Sequence, residues 1–130
     1  MSLVSSVIFA AQSNAAPPTT FVSANFNLRS HRGGPAAQDV LKLCESLRSQ
    51  LQRTWLASEA KESWAPRCEI VLHPTRSSYL AAVGRGGART SGSSLIQFEK
   101  GRMLKRRIDL LVNRDGKIPA LPHELTHIVL

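Results

Sequence analysis

The residues best equipped for chemistry stand together at Leu121-Pro122-His123-Glu124-Leu125-Thr126-His127-Ile128-Val129-Leu130, which contains His-Glu-x-x-His. On a helix, positions i and i+4 lie one above the other on the same face, with Cβ atoms roughly 5–6 Å apart. His123 and His127 placed in this way offer two imidazole nitrogens to one metal ion, each at roughly 2.0–2.1 Å. Glu124 is turned only about 100° from His123, so its carboxylate reaches a water on that ion without being a ligand. There it serves as general base, taking the water's proton and returning it to a leaving amine.

The segment that must position these residues has a legible start. Asn113-Arg114-Asp115-Gly116 is a turn signal,. Pro119 and Pro122 keep a helix from beginning much before Ala120, because proline is accepted only where its missing N–H would have been unpaired,. His123 is therefore expected in or just after the first turn. Leu125, Ile128 and Val129 are expected to face a sheet, leaving His123, Glu124 and His127 toward a cleft. The apolar end Ile128-Val129-Leu130 is expected to be exposed, which points to a homodimer formed through this helix.

Ala-Leu-Pro followed by His123-Glu124-Leu125-Thr126-His127 and an apolar run resembles the active-site helix of zincin metallopeptidases, in wording closest to the gluzincin branch. The resemblance implies an α+β fold: a small twisted, mostly antiparallel sheet packed by a long N-terminal helix and the C-terminal motif helix. It implies zinc as cofactor, His123 and His127 as metal ligands, Glu124 as the catalytic base, and a peptide or protein as substrate. The family's third ligand, a Glu on a second helix downstream, has no counterpart in the three residues after His127. The expectation is thus a zincin-like domain lacking its C-terminal subdomain, truncated after the motif helix and inactive by itself, with zinc held only in a full-length protein. Two alternatives stand beside it: a non-catalytic zincin-like domain used for binding or dimerisation, and a basic nucleic-acid-binding domain.

Length and composition set the frame. At 130 residues, 42% hydrophobic and 20% charged, the chain suits one globular domain with a single core,. The net charge of +8 favours anionic partners in general,. The cations are scattered except for Lys100-Gly101-Arg102-Met103-Leu104-Lys105-Arg106-Arg107, which reads as a solvated turn between strands and specifies no nucleic acid,. Residues 1–20 differ from the rest: a short apolar stretch, then small residues and a cleavage-like Ser13-Asn14-Ala15, resembling the tail of a secretory signal peptide,. They point to export and are too short to span a membrane. A floppy tail is the other reading, and the domain proper is expected over 21–130. Cys44 and Cys68 lie in no C-x-x-C pair; in an exported protein they would form one disulfide, otherwise two buried thiols,.

Along the chain, Phe21 to Leu28 alternates as a first strand, followed by a loop holding His31,. Val40, Leu43, Cys44, Leu47, Leu51 and Trp55 recur at helical spacing and predict a helix over 36–56 that packs one face of the sheet,. Trp64 is expected as a lid on the sheet. Cys68 to His73 reads as a strand stopped by Pro74, with His73 more often a satisfied histidine than a further ligand. Thr75 to Val83 predicts a short helix with Thr75 as N-cap and Gly84 as stop. Gly84 to Gly92 is expected to be a mobile loop bordering the cleft. Ser93–Lys100 and Arg106–Asn113 predict a hairpin whose first strand would, under the zincin resemblance, be the edge along the substrate cleft.

Overall fold

The computed structural model describes residues 18–31, 34–56 and 62–130. The signal-like reading of residues 1–20 falls mostly on 1–17, which lie outside the described residues, while Thr19 and Thr20 already belong to the first strand.

The strand expected over 21–28 is two strands, β1 (Thr19–Val22) and β2 (Phe26–Ser30), joined by a tight reversal. The reversal is held from a distance, which local alternation does not reveal. The Glu45 carboxylate accepts from the Asn25 side chain (2.6 Å), the Ser23 hydroxyl (2.7 Å) and the Asn25 backbone N–H (3.0 Å). Glu45 belongs to α1 (Ala37–Leu56), so these bonds clamp the hairpin to the long helix. The Asn25 side-chain oxygen accepts from the backbone of Trp64 at 2.8 Å, tying in the connection that follows α1.

The remaining elements are β3 (Cys68–His73), α2 (Arg76–Val83), β4 (Gly92–Glu99), β5 (Arg102–Leu111) and α3 (Leu121–Val129). Thr75 caps α2 as expected, its hydroxyl accepting from the Ser78 N–H at 3.1 Å. The β4–β5 reversal places both Lys100 and Gly101 at positive φ (51° and 75°), the turn whose twist matches that of the strands and for which Gly101 is suited,.

The protein is α+β, with one five-stranded sheet in the order β1-β2-β3-β5-β4 and three helices. The sheet is mixed and not mostly antiparallel: β2–β3 and β3–β5 pair in parallel, β1–β2 and β4–β5 antiparallel. β2 and β3 are parallel because α1 crosses back between them, whereas β3 and β5 are parallel because β4 first runs the opposite way down the sheet and the β4–β5 hairpin reverses the chain again,. β4 is an edge strand.

Alternation divides the sheet into two faces. Phe26, Leu28, Ile70, Leu72, Ile108 and Leu110 point to one side and are closed over by Val40, Leu41 and Cys44 of α1 and Leu121, Leu125 and Ile128 of α3. α2 sits on the other face, where Tyr79 stands edge-on to His73 at 5.8 Å. The apolar stripe of α1 is rotated from the expected one: Leu41 and Arg48 are buried, whereas Leu43 and Trp55 are exposed. Trp64 covers the core as a lid, edge-on to Phe26 at 5.6 Å and flanked by the guanidinium groups of Arg48 and Arg106 at 4.6 and 4.7 Å. Among the described residues no helix is long and apolar enough to cross a membrane.

Cys44 and Cys68 are free thiols in the core, each pushed up to about 12, by burial first and by neighbouring negative charge second. Both are therefore expected to resist thiol reagents until the chain unfolds, which alkylation followed by mass measurement with and without denaturant reads directly.

Burial works to raise the Glu45 carboxyl, but the hydrogen bonds from Asn25 and Ser23 outweigh it and hold the pKa below the ordinary 4.5. A depressed folded value means the clamp stabilises above the unfolded pKa and is lost as pH falls through the lowered one. Glu45→Gln is expected to cost about 1–2 kcal/mol near neutrality. In urea melts its deficit against the parent should shrink as the acid range is entered.

Candidate metal and base site on α3

α3 begins where the two prolines allow. Pro122 lies in its first turn, and the Glu124 N–H donates to Ala120 O at 3.0 Å as an early helical bond. Leu121, Leu125 and Ile128 fall on one side and are buried. Burying three such side chains stabilises by about 1.5–3 kcal/mol each, which fixes the rotation of the helix. With that rotation set, the four-residue spacing puts His123 and His127 together on the exposed side,.

The two rings meet. His123 Nε2 and His127 Nε2 are 3.0 Å apart, with ring centroids at 4.6 Å and an interplanar angle of 84°. In neutral rings, either one imidazole donates to the other or both lone pairs address a cation between them. Two nitrogen ligands of a tetrahedral zinc stand about 3.3 Å apart. A shift of a few tenths of an ångström, easy for exposed side chains, would suit this pair to the ion. Among the described residues, no group of three His, Cys, Asp or Glu side chains gathers to hold a metal.

Whereas both histidines are exposed, Glu124, between them in sequence, is only 9% exposed. Its stem lies against β4 at Gly92, where an added Cβ would come within 2.8 Å of Glu124 Cγ and 2.8 Å of Ala120 Cβ. α3 thus crosses the start of the edge strand at a point that only glycine permits. The Glu124 carboxylate joins no ion pair among the described residues.

Ile128 is buried and Val129 packs against the core, as expected of residues facing the sheet, so only Leu130 of the apolar end is exposed. Other exposed apolar side chains lie on the β4–β5 hairpin, at Leu95, Ile96, Phe98 and Leu104, and on α1, at Leu43, Trp55 and Leu56.

His73 is remote from this pair because it projects from the face that α2 covers. There its Nε2 lies 2.7 Å from Asp109 Oδ1 and its Nδ1 2.8 Å from Ser78 Oγ. The partner lies on β5, 36 positions further along the chain, where no local pattern links it to His73. His31 is half-buried beyond β2. The loop after α2 is pinned at several points: Arg76 donates to Ala88 O (3.1 Å) and Thr90 O (3.0 Å), and Tyr79 Oη lies 2.6 Å from Thr90 Oγ1.

No protein-family model, curated protein or solved structure matches the chain.

The contact at Gly92 carries its own test. Gly92→Val must displace Glu124 and Ala120, and is expected to destabilise by about 1–3 kcal/mol, as overpacking does. Thermal melts would show it, and the amide signals of α3 should move while those of α2 stay in place.

Proposed function

We propose that α3 carries the metal-and-base portion of a zinc-dependent, gluzincin-like metallopeptidase site, with His123 and His127 as ligands and Glu124 as general base. The observation that supports this most strongly is the 3.0 Å approach of the two Nε2 atoms on the exposed side of a helix locked by its other side. The donor set suits zinc, which takes neutral imidazole readily. Zinc, when bound, supplies Lewis-acid polarisation of a peptide carbonyl and a water acidic enough to attack it.

The chain's own residues then have distinct tasks. His123 and His127 fix the position of the reacting carbonyl relative to α3. Glu124, held against β4, removes the proton from the attacking water and delivers it to the departing amine. β4 has a free edge whose N–H and C=O groups suit an extended peptide, laid as an added strand that ends beside Glu124,. A catalytic zinc takes three protein ligands, so full activity requires one more from outside the described residues, and by themselves the present ones hold zinc weakly. The exposed Leu95, Ile96 and Phe98 favour a second reading, a zincin-like domain that binds a partner through β4 without turnover.

Zinc content after equilibrium dialysis tests the proposal. The full chain is expected to bind one zinc, and His123→Ala or His127→Ala to weaken binding at least about tenfold, the scale seen even for residues that only support a ligand. Metal content unaltered by both substitutions would refute it. Glu124→Gln should keep the metal; in a form supplied with a third ligand it should abolish peptide cleavage, whereas the partner-binding reading predicts no cleavage to lose.

A further inference from the structure

A buried polar chain on the α2 face is used by nothing above. Arg107 donates from Nε to Asp109 Oδ2 and from Nη2 to Asp109 Oδ1, both at 2.9 Å. Asp109 Oδ1 faces His73 Nε2 at 2.7 Å, and His73 Nδ1 faces Ser78 Oγ at 2.8 Å. His73 and Asp109 are 5% and 6% exposed, while Ser78 is half-buried.

The hydrogen positions follow from the chemistry of the groups. Burial works to raise the Asp109 carboxyl, but the hydrogen bonds from Arg107 and His73 outweigh it and hold its pKa below the ordinary carboxylate value. An ionised carboxylate only accepts, so His73 Nε2 carries the hydrogen. In the neutral ring Nδ1 is then an acceptor and takes the Ser78 O–H. The result is hydroxyl to imidazole to carboxylate, the connectivity that activates serine nucleophiles, with the two ring nitrogens exchanged relative to the common arrangement. Tyr79, edge-on to the ring, and Arg107, paired to the carboxylate, hold the relay in place.

We propose that Ser78, His73 and Asp109 form a metal-independent nucleophilic site, with Ser78 Oγ reacting with carboxylic esters. Ser78 lies in the first turn of α2, where Arg76 and Ser77 have N–H groups without intrahelical partners, at the end of the helix that favours developing negative charge,. On the same face of the sheet, the exposed Leu95 stands opposite Arg107 in the β4–β5 register and suits an apolar acyl group.

In the reaction, Ser78 Oγ bonds to the ester carbonyl carbon as its proton passes to His73 Nδ1. The bond to the alkoxy oxygen then breaks, and that proton leaves on the alcohol. Water attacks the acyl-serine, its proton passing through His73 Nδ1 to Ser78 Oγ as the acid departs. One ester and one water yield one acid and one alcohol. Asp109 acts as a positioning residue that sets the tautomer.

The test is a fluorophosphonate probe applied to the folded full chain, with peptide mapping of the adduct, alongside hydrolysis of p-nitrophenyl acetate. A single adduct on Ser78 is expected. Ser78→Ala should lower hydrolysis by about a hundredfold or more, whereas Ser46→Ala, at an exposed position of α1 on the opposite side of the sheet, should leave it in place. Asp109→Asn, which upsets the tautomer, should lower the acylation rate while leaving KM near the parent value. Absence of an adduct on Ser78 in the unsubstituted protein overturns the proposal without recourse to any variant, and so does hydrolysis that persists in Ser78→Ala.

Discussion

The constraint on which the rest depends is the rotation of α3 about its own axis. Leu121, Leu125 and Ile128 are inserted between α1 and the sheet, and together they contribute several kcal/mol,. A helix has one rotational degree of freedom in such a seat. Once it is spent, the side chains three and four places away have no choice of direction. The 3.0 Å meeting of His123 and His127 is therefore a by-product of apolar packing, and no direct attraction between the rings is required to explain it. Glu124 is governed by the same rotation. Lying between the buried and exposed sides, it ends against β4, and the missing Cβ of Gly92 is what lets the helix settle so near the strand.

What the sequence disclosed and what it concealed divide along physical lines. Features made by neighbours in the chain were legible: the bounds of α1 are close to 36–56, β3 is Cys68–His73 as read, and Thr75 and Gly84 delimit α2. Each depends on periodicity, capping or backbone preference within a few residues. Features made by distant partners were not. The β1–β2 reversal depends on Glu45, about twenty positions further on. The parallel pairing of β3 with its neighbours depends on how the α1 crossover packs and on β5 inserting between β3 and β4, neither of which alternation within a strand encodes. The site was legible in the same measure. Residue spacing gave the identity of the histidine pair, whereas the seat of Glu124 needed the strand that crosses beneath it.

The two faces of the sheet illustrate how one polar residue type is handled in opposite ways. His73 and Asp109 lie under α2, and every strongly polar atom of the pair has a partner within 2.9 Å. That satisfaction is obligatory, because an unpaired charge at such burial would cost several kcal/mol. His123 and His127 stand in solvent with only each other, and exposure makes this tolerable, since water satisfies what the protein does not,. A histidine pair kept in water and pre-aimed at one point is available for a ligand. A histidine locked between a hydroxyl and a carboxylate can act only on what reaches that hydroxyl.

The edge at β4 carries this argument one step further. Free strand edges are commonly guarded by lysine, proline or an inward charge. β4, Gly-Ser-Ser-Leu-Ile-Gln-Phe-Glu, has none of these along its length except the terminal Glu99 and a bulge between Gln97 and Phe98. It adds exposed Leu95, Ile96 and Phe98 to an edge that no other strand covers among the described residues. Such a strand carries a liability for self-association unless a partner makes use of it. Its Gly92 end touches the stem of Glu124, so a chain paired along β4 from the hairpin tip would arrive beside the carboxylate. In the proposed peptidase, the unguarded edge and the histidine pair therefore belong to one device. The strand supplies backbone hydrogen bonds that do not depend on substrate sequence, and α3 supplies the chemistry where that strand begins.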